Sequence, residues 1–458
     1  DEAVRALRGR GALVLAAQAY EAESGRPFGV WTDALGAARE TWLAEQVTRD
    51  LSPLIARPGA DSARGGRERL FGAVSDLVAS QASRAPVVLA FDDLHWCDES
   101  SASLLHYVLR MNRHRPVLVL ACVRDGELPD NEPVLALLRG VRGGLLEELA
   151  LPPLGGDAIA ILVRACDPEA DAERIHRDSG GNPLLALELA RAGAGHELPP
   201  PSLVALARDR VDRLPETAIE VLRGLAVLGR AATSEELAAC TGLPPETLEG
   251  SLEDLERHAL VQPAGRGVDF AHDMIRRAVY GDLSPRRRRA LHRRAAGMMQ
   301  ARMGDDLSLA SELAHHAAQA DDPELAARAF VAAGKLCLRL YANDEAHALA
   351  RRGRRFAEQL PEARRVRLLL ELAEVGLSAR ASERWEADAE EVVALAERAL
   401  DLGARGHARL GYHIASYLRW EHAQWSIARE HMLEAERVTR GGSDAEHILA
   451  MAETARCL

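Results

Sequence analysis

The sequence predicts a parallel α/β sheet at its N-terminal end followed by an almost wholly helical remainder. Three observations carry this. Short apolar runs at Leu13–Ala17, Val87–Phe91 and Val117–Val123 alternate with helical stretches, the pattern of a parallel sheet covered by helices. After Pro152-Pro153 such runs nearly cease. From about residue 308 the chain is rich in Ala, Leu, Arg and Glu, residues that lose little on entering a helix.

Taken in order, residues 1–10 read as the tail of a helix and Leu13–Ala17 as a buried strand. Residues 69–82 are helical, Ala85-Pro86 ends that helix, and the Val87 strand follows. Residues 100–113 form a helix, Val117–Val123 a third strand, and Glu147–Leu151 a weaker fourth. Residues 156–193 make two or three short helices, and the Gly/Pro-containing stretch 192–201 is a linker. Residues 202–300 are helical except at Leu260–Pro263 and Val268–Phe270, which flank Gly265 and Gly267 as a small β-wing. Beyond 308, helical hairpins begin near 324, 362 and 404, a spacing of about 40 residues. That exceeds the tetratricopeptide period of about 34, and the Trp-Leu-Gly-Tyr signature is missing. Ala326, Ala329, Ala333 and Leu336 supply small-and-large packing positions, and the array ends at Cys457-Leu458 without a polar capping helix, so both chain ends are expected to be cut.

Composition narrows the function. The chain has 458 residues and a formal charge of −12, which argues against bulk attraction to nucleic acid or an acidic membrane surface. Six cysteines at 97, 122, 166, 240, 337 and 457 form no CxxC pair, so neither a zinc ribbon nor a disulfide framework is indicated, and a reducing cytoplasm fits. No apolar run approaches the ~20 residues of a membrane helix, and no signal peptide is recognisable. Lysine occurs once, at Lys335; the other 56 of the 57 basic residues are arginine, a compositional bias.

The sharpest motif is Val87-Val88-Leu89-Ala90-Phe91-Asp92-Asp93-Leu94-His95-Trp96-Cys97-Asp98. A buried strand that ends in two carboxylates aims them at the crevice above a parallel sheet, where ligands bind. The first, Asp92, is suited to Mg²⁺, and the second, Asp93, to orienting or deprotonating a water. An apolar strand ending in Asp-Asp is common, but the continuation Leu-His-Trp-x-Asp-x-x-Ser is far less so.

Residues 87–101 resemble the Walker B segment of the STAND class of AAA-related P-loop ATPases, and more narrowly the large ATP-binding LuxR-type regulators related to MalT. Further segments match in order. Val119–Arg124 resembles the sensor 1 strand, which implies that Arg124 reaches the γ-phosphate; otherwise it is a solvated rim residue. Ser179-Gly180-Gly181-Asn182-Pro183 resembles the Gly-x-Pro motif of the helical lid, which implies Pro183 beside the adenine; otherwise it is an ordinary turn before a helix. Phe270-Ala271-His272-Asp273 resembles the winged-helix segment, which implies a His272 contact to the ADP β-phosphate, while Asp273 also suits a first helical turn.

No G-x-x-x-x-G-K-[ST] loop occurs; Lys335, in Ala-Ala-Gly-Lys-Leu-Cys-Leu, lacks the first glycine and the Ser/Thr. Family members place that loop before the helix that residues 1–10 resemble, so truncation is expected, and with it weak or no ATP binding. Residues 233–263 have helix-turn-helix spacing around Gly242, but the second helix carries Glu246, Glu249, Glu253, Asp254 and Glu256 against Arg257 alone and would repel phosphates. Arg286–Arg289 reads as a solvated helix start.

The resemblance implies a P-loop NTPase core over 1–155 lacking its first strand and Walker A loop, a helical lid over 156–200, a winged-helix domain over 201–303 and tetratricopeptide-like repeats over 304–458. It also implies ATP/ADP and Mg²⁺ as cofactors and a nucleotide-dependent switch. Expected partners are an effector or protein on the repeats, DNA only through a domain absent from these residues, and a second copy on activation. Alternatives are the same module attached to a Ser/Thr kinase or class III nucleotide cyclase, or a repeat scaffold without catalysis.

Overall fold

The computed structural model describes residues 2–23, 25–38, 51, 66–124, 126–141, 146–192, 211, 214–265, 267–304, 307–380 and 382–440. All but the first residue of the expected linker at 192–201, and the end of the array at 457–458, lie outside them. The chain divides into two compact units, one of residues 1–142 with 299–458, the other of residues 143–298.

The first unit opens with α1 (Glu2–Gly9), β1 (Leu13–Gln18) and α2 (Gly29–Ala37). Then come α3 (Gly66–Ala82), β2 (Val87–Asp92), α4 (Glu99–Met111), β3 (Val117–Ala121) and α5 (Glu132–Val141). The sheet is parallel with order β1-β2-β3, and its register sets Gln18 opposite Asp92. Val87–Phe91 are all buried, as the continuous apolar run requires, and each of Val87, Val88, Leu89 and Phe91 contributes about 1.5–3 kcal/mol of transfer energy. Trp31 and Phe28 complete this core, with the Trp31 ring edge-on to Phe91 at 5.5 Å. β3 is less covered, with Leu118 50% exposed.

The second unit contains α6 (Gly156–Cys166), α7 (Ala172–Ser179) and α8 (Pro183–Ala192), packed around Ile159, Val163, Ile175 and Ala186. It continues with α9 (Glu216–Leu228), α10 (Ser234–Thr241) and α11 (Pro245–Arg257). An antiparallel ribbon of β4 (Val261–Ala264) and β5 (Gly267–Phe270) follows, then α12 (Asp273–Asp282) and α13 (Pro285–Met303), within which the boundary between the units falls. Thr233 and Glu236 form a capping box at the start of α10, and Gly242 ends it at φ 79°. The strand expected at Glu147–Leu151 is not formed: residues 146–155 lie outside helix and sheet, with Leu149 75% and Leu151 93% exposed. An apolar run without a neighbouring strand to take its backbone groups stays solvated.

The rest of the first unit is an array of antiparallel helices: α14 (Ala310–Gln319), α15 (Pro323–Arg339), α16 (Asn343–Ala357), α17 (Glu362–Ala379), α18 (Trp385–Asp401), α19 (Arg405–Glu421) and α20 (Trp425–Thr439). Neighbours in sequence pack together, and α15, α17 and α19 also pack side by side. Small residues set the close approaches: a Cβ on Gly334 would lie 2.5 Å from Val375, and one on Gly353 would lie 2.7 Å from Leu372. Ala326, Ala329 and Ala333 are fully enclosed, as read from the sequence.

Candidate functional site

β2 ends at Asp92, whose exposed carboxylate accepts from the Asp93 amide at 3.0 Å. Asp93 itself has left the strand. Its backbone is left-handed (φ 49°), a conformation Asp tolerates better than most residues, and it starts the turn Leu94–Trp96. That turn swings the Asp93 side chain back over the ends of the neighbouring strands. The Gln18 amide, at the end of β1, donates to Asp93 Oδ2 at 3.1 Å, and Arg124 Nε, just past β3, lies 3.6 Å from Asp93 Oδ1. Asp92, Asp93 and Arg124, expected from two separate motifs of the sequence, are thus gathered at the C-terminal ends of two neighbouring parallel strands.

Three further residues complete the cluster and escaped the sequence reading. Glu127 accepts from Arg124 Nη1 at 3.2 Å, and the Trp96 ring lies 5.1 Å from the guanidinium. His95 is buried; its Nδ1 faces the Arg124 amide at 3.4 Å, while Nε2 lies 3.3 Å from Glu127 Oε2 and 3.8 Å from Asp93 Oδ1 without good hydrogen-bond alignment. His95 and Trp96 stood in the motif without a role, and Gln18 was legible only once the β1–β2 register was known. Burial pushes the Asp93 carboxyl above its usual range; the Arg124 charge opposes this, the Asp92 charge adds to it, and the Gln18 hydrogen bond and His95 lower it.

Directly beyond, Asp98 is enclosed. It accepts from the amides of Phe28 (2.9 Å), Gly29 (3.2 Å) and Ser101 (2.8 Å) and from the Ser101 hydroxyl (2.5 Å). One carboxylate therefore caps both α2 and α4. Glu345 of α16 reaches the same helix start, accepting from the Ser100 amide at 2.6 Å.

Pro183 and His272 belong to the second unit. Pro183 is exposed at the first position of α8. Before it, Gly180 (φ 57°) ends α7, and the Gly181 amide (φ 78°) donates to the Ser179 hydroxyl at 3.3 Å; a Cβ there would sit 2.5 Å from the Leu154 carbonyl oxygen, which makes this glycine necessary for local chain packing. His272 is the N-cap residue of α12, half-buried, with no capping hydrogen bond from its side chain. Asp273 takes the first turn and accepts from Arg276 and Arg277, each at 2.7 Å. Lys335 lies inside α15 and pairs with Glu374 at 3.2 Å, so the chain's one lysine serves the helical array.

Residues 1–120, which include the carboxylate pair at the end of β2, match the family model described as AAA ATPase domain. Over 365 residues the chain is 27% identical to an uncharacterized protein of Rhizobium meliloti (strain 1021), a match that covers 71% of this chain and 34% of that protein. The chain thus spans about a third of the length of this curated relative. Among solved structures, a signal transduction ATPase with numerous domains and a tetratricopeptide repeat sensor from Pyrococcus horikoshii aligns at 12% identity and a TM-score of 0.39, covering 97% of this chain and 77% of that one. The Aeropyrum pernix ORC1 protein, solved in complex with DNA, aligns at 19% identity and a TM-score of 0.27, covering 60% and 80%. Superpositions this loose fix no detail of fold or function. Among the described residues, no helix is long and apolar enough to cross a membrane.

Proposed function

We propose that this chain is the nucleotide-responsive part of a STAND-type signalling ATPase. The observation that carries the reading is the convergence of Asp92, Asp93 and Arg124 at the C-terminal edge of a parallel sheet, the position where open α/β sheets bind phosphates. The donor set fits Mg²⁺: Asp92 offers exposed carboxylate oxygens, the ligands a hard cation takes. Bound there with ATP, the metal would supply charge neutralisation of the phosphates. Asp93, held by Gln18 and Arg124 and with its carboxyl pushed above the usual range by burial, is set to orient the attacking water and take its proton. Arg124 would exchange its carboxylate partners for γ-phosphate oxygens, which its fork binds bidentately. By resemblance, Pro183 would lie against the adenine and His272 against the ADP β-phosphate.

In this reading 1–155 is the core, 156–200 the lid, 201–303 a winged-helix domain and 304–458 a tetratricopeptide-like sensor. Nucleotide at the core and an effector on the sensor bias the same two states. Transcription control would act through a DNA-binding domain outside these residues. The exposed acidic side chains Glu246, Glu249, Glu253 and Glu256 on α11 support an internal role for that helix.

The test is ATP hydrolysis by the product of the full reading frame. Asp93→Asn keeps the left-handed backbone acceptable and is expected to lower kcat by ~10²-fold or more, while Asp92→Asn shifts the Mg²⁺ requirement upward. Wild-type rates in both variants would sink the reading and leave a repeat scaffold. Residues 1–458 alone are expected to bind ATP weakly at best, since they contain no phosphate loop.

A further inference from the structure

The helical array holds an open cavity of about 700 Å³ between α15, α17 and the start of α19. That volume is in the range of small-molecule sites. Its walls carry Lys335, Arg367, Arg405 and Arg409 against two carboxylates, Glu371 and Glu374. In a chain of net charge −12, this is a local reversal of sign.

Both carboxylates are already engaged. Glu374 pairs with Lys335 at 3.2 Å, and Glu371 accepts from His407 at 2.9 Å. Burial alone would raise the Glu371 carboxyl; the His407 hydrogen bond and the Lys335 and Arg328 charges hold it below its usual range, so it stays ionised and fixes the imidazole. Arg367, Glu371 and Glu374 follow one another at helical spacing on α17, which places the arginine on the face that lines the cavity. Arg367 and Arg405 are exposed and have no ion-pair partner among the described residues. At the wall's end, α19 is capped by Ala404, whose side chain has no acceptor for the helix's first amides.

We propose that this cavity binds a small polyanion, carrying carboxylate or phosphate groups, at Arg367 and Arg405. Two guanidinium forks on adjacent helices suit paired anionic oxygens, and the pinned His407 and Lys335 also line the cavity. This names the ligand class of the sensor and so rests on the reading of the array as a sensor. The anion contacts themselves need no nucleotide in the core.

The experiment uses residues 1–458 with citrate and inorganic pyrophosphate as probes, at ionic strength matched with KCl. Thermal unfolding and isothermal titration calorimetry are read together. At least one probe is expected to raise the unfolding midpoint by 2 °C or more. Arg367→Gln with Arg405→Gln should weaken that binding at least tenfold, the single variant Arg405→Gln by less, and Arg10→Gln not at all. The double variant must keep the wild-type far-UV circular dichroism, which both exposed positions favour. Persistence of the response in Asp92→Asn separates this cavity from the nucleotide site; its loss there assigns the anion to the core and overturns the proposal. No response to either probe, an unchanged response in the double variant, or binding of poly-glutamate alone overturns it too.

Discussion

Asp98 accepts four hydrogen bonds inside the core, yet its carboxyl is pushed up to about 6. Burial is the largest cause and the Glu345 charge the next, and together they outweigh the Ser101 and Phe28 donors. A pKa raised on folding makes the protonated form the better fit. The associated stability is present below the unfolded value near 3.8 and is lost as pH rises through 6. We expect wild type to gain about 1 kcal/mol over Asp98→Asn when urea unfolding is moved from pH 7.5 to pH 5. A pH-independent difference between the two would contradict this. Asp98→Ala is a harsher change: it strands buried amides at the starts of two helices and should cost on the order of 3 kcal/mol in the same assay.

Among the elements, the β4–β5 ribbon depends on one glycine. Ala232 and Val268 exchange both backbone hydrogen bonds at 2.9 Å, and a Cβ on Gly267 would lie 2.1 Å from the Ala232 carbonyl oxygen. Backbone cannot yield as a side-chain tip can, so Gly267→Ala is expected to detach the ribbon, with amide exchange at Val268 accelerated at least tenfold. Thr233→Ala, which removes half of the α10 capping box, should cost about 1 kcal/mol in thermal unfolding. The sheet strands, the ribbon and the helix starts at Ser234, Pro323 and Glu362 were legible in the sequence, because apolar runs, caps and prolines are local signals. So were Asp92, Asp93 and Arg124 as site candidates. The Glu147–Leu151 strand was misread because an apolar run alone does not supply a pairing partner. Gln18 and the Phe28 amide donor on Asp98 were invisible for a different reason: their partners are 70 or more residues away.

On the scale of the whole molecule, the first unit joins the sheet to the array through a few polar contacts of very long sequence separation. Glu345 accepts from the Ser100 amide across 245 residues, and the Ser311 hydroxyl donates to the Gly25 carbonyl across 286. Glu345→Ala should speed amide exchange at Ser100 about fivefold to tenfold, the equivalent of roughly 1 kcal/mol, with little change inside β2. Equal exchange in variant and wild type would show that the contact carries no energy. These two contacts also set a timetable for biosynthesis. At ~5–20 residues per second, translation needs roughly 12–50 s to go from Ser100 to Glu345. Throughout that interval the nascent sheet must persist with the first turn of α4 lacking one of its acceptors, so the completion of that helix start waits for α16, made 245 residues later.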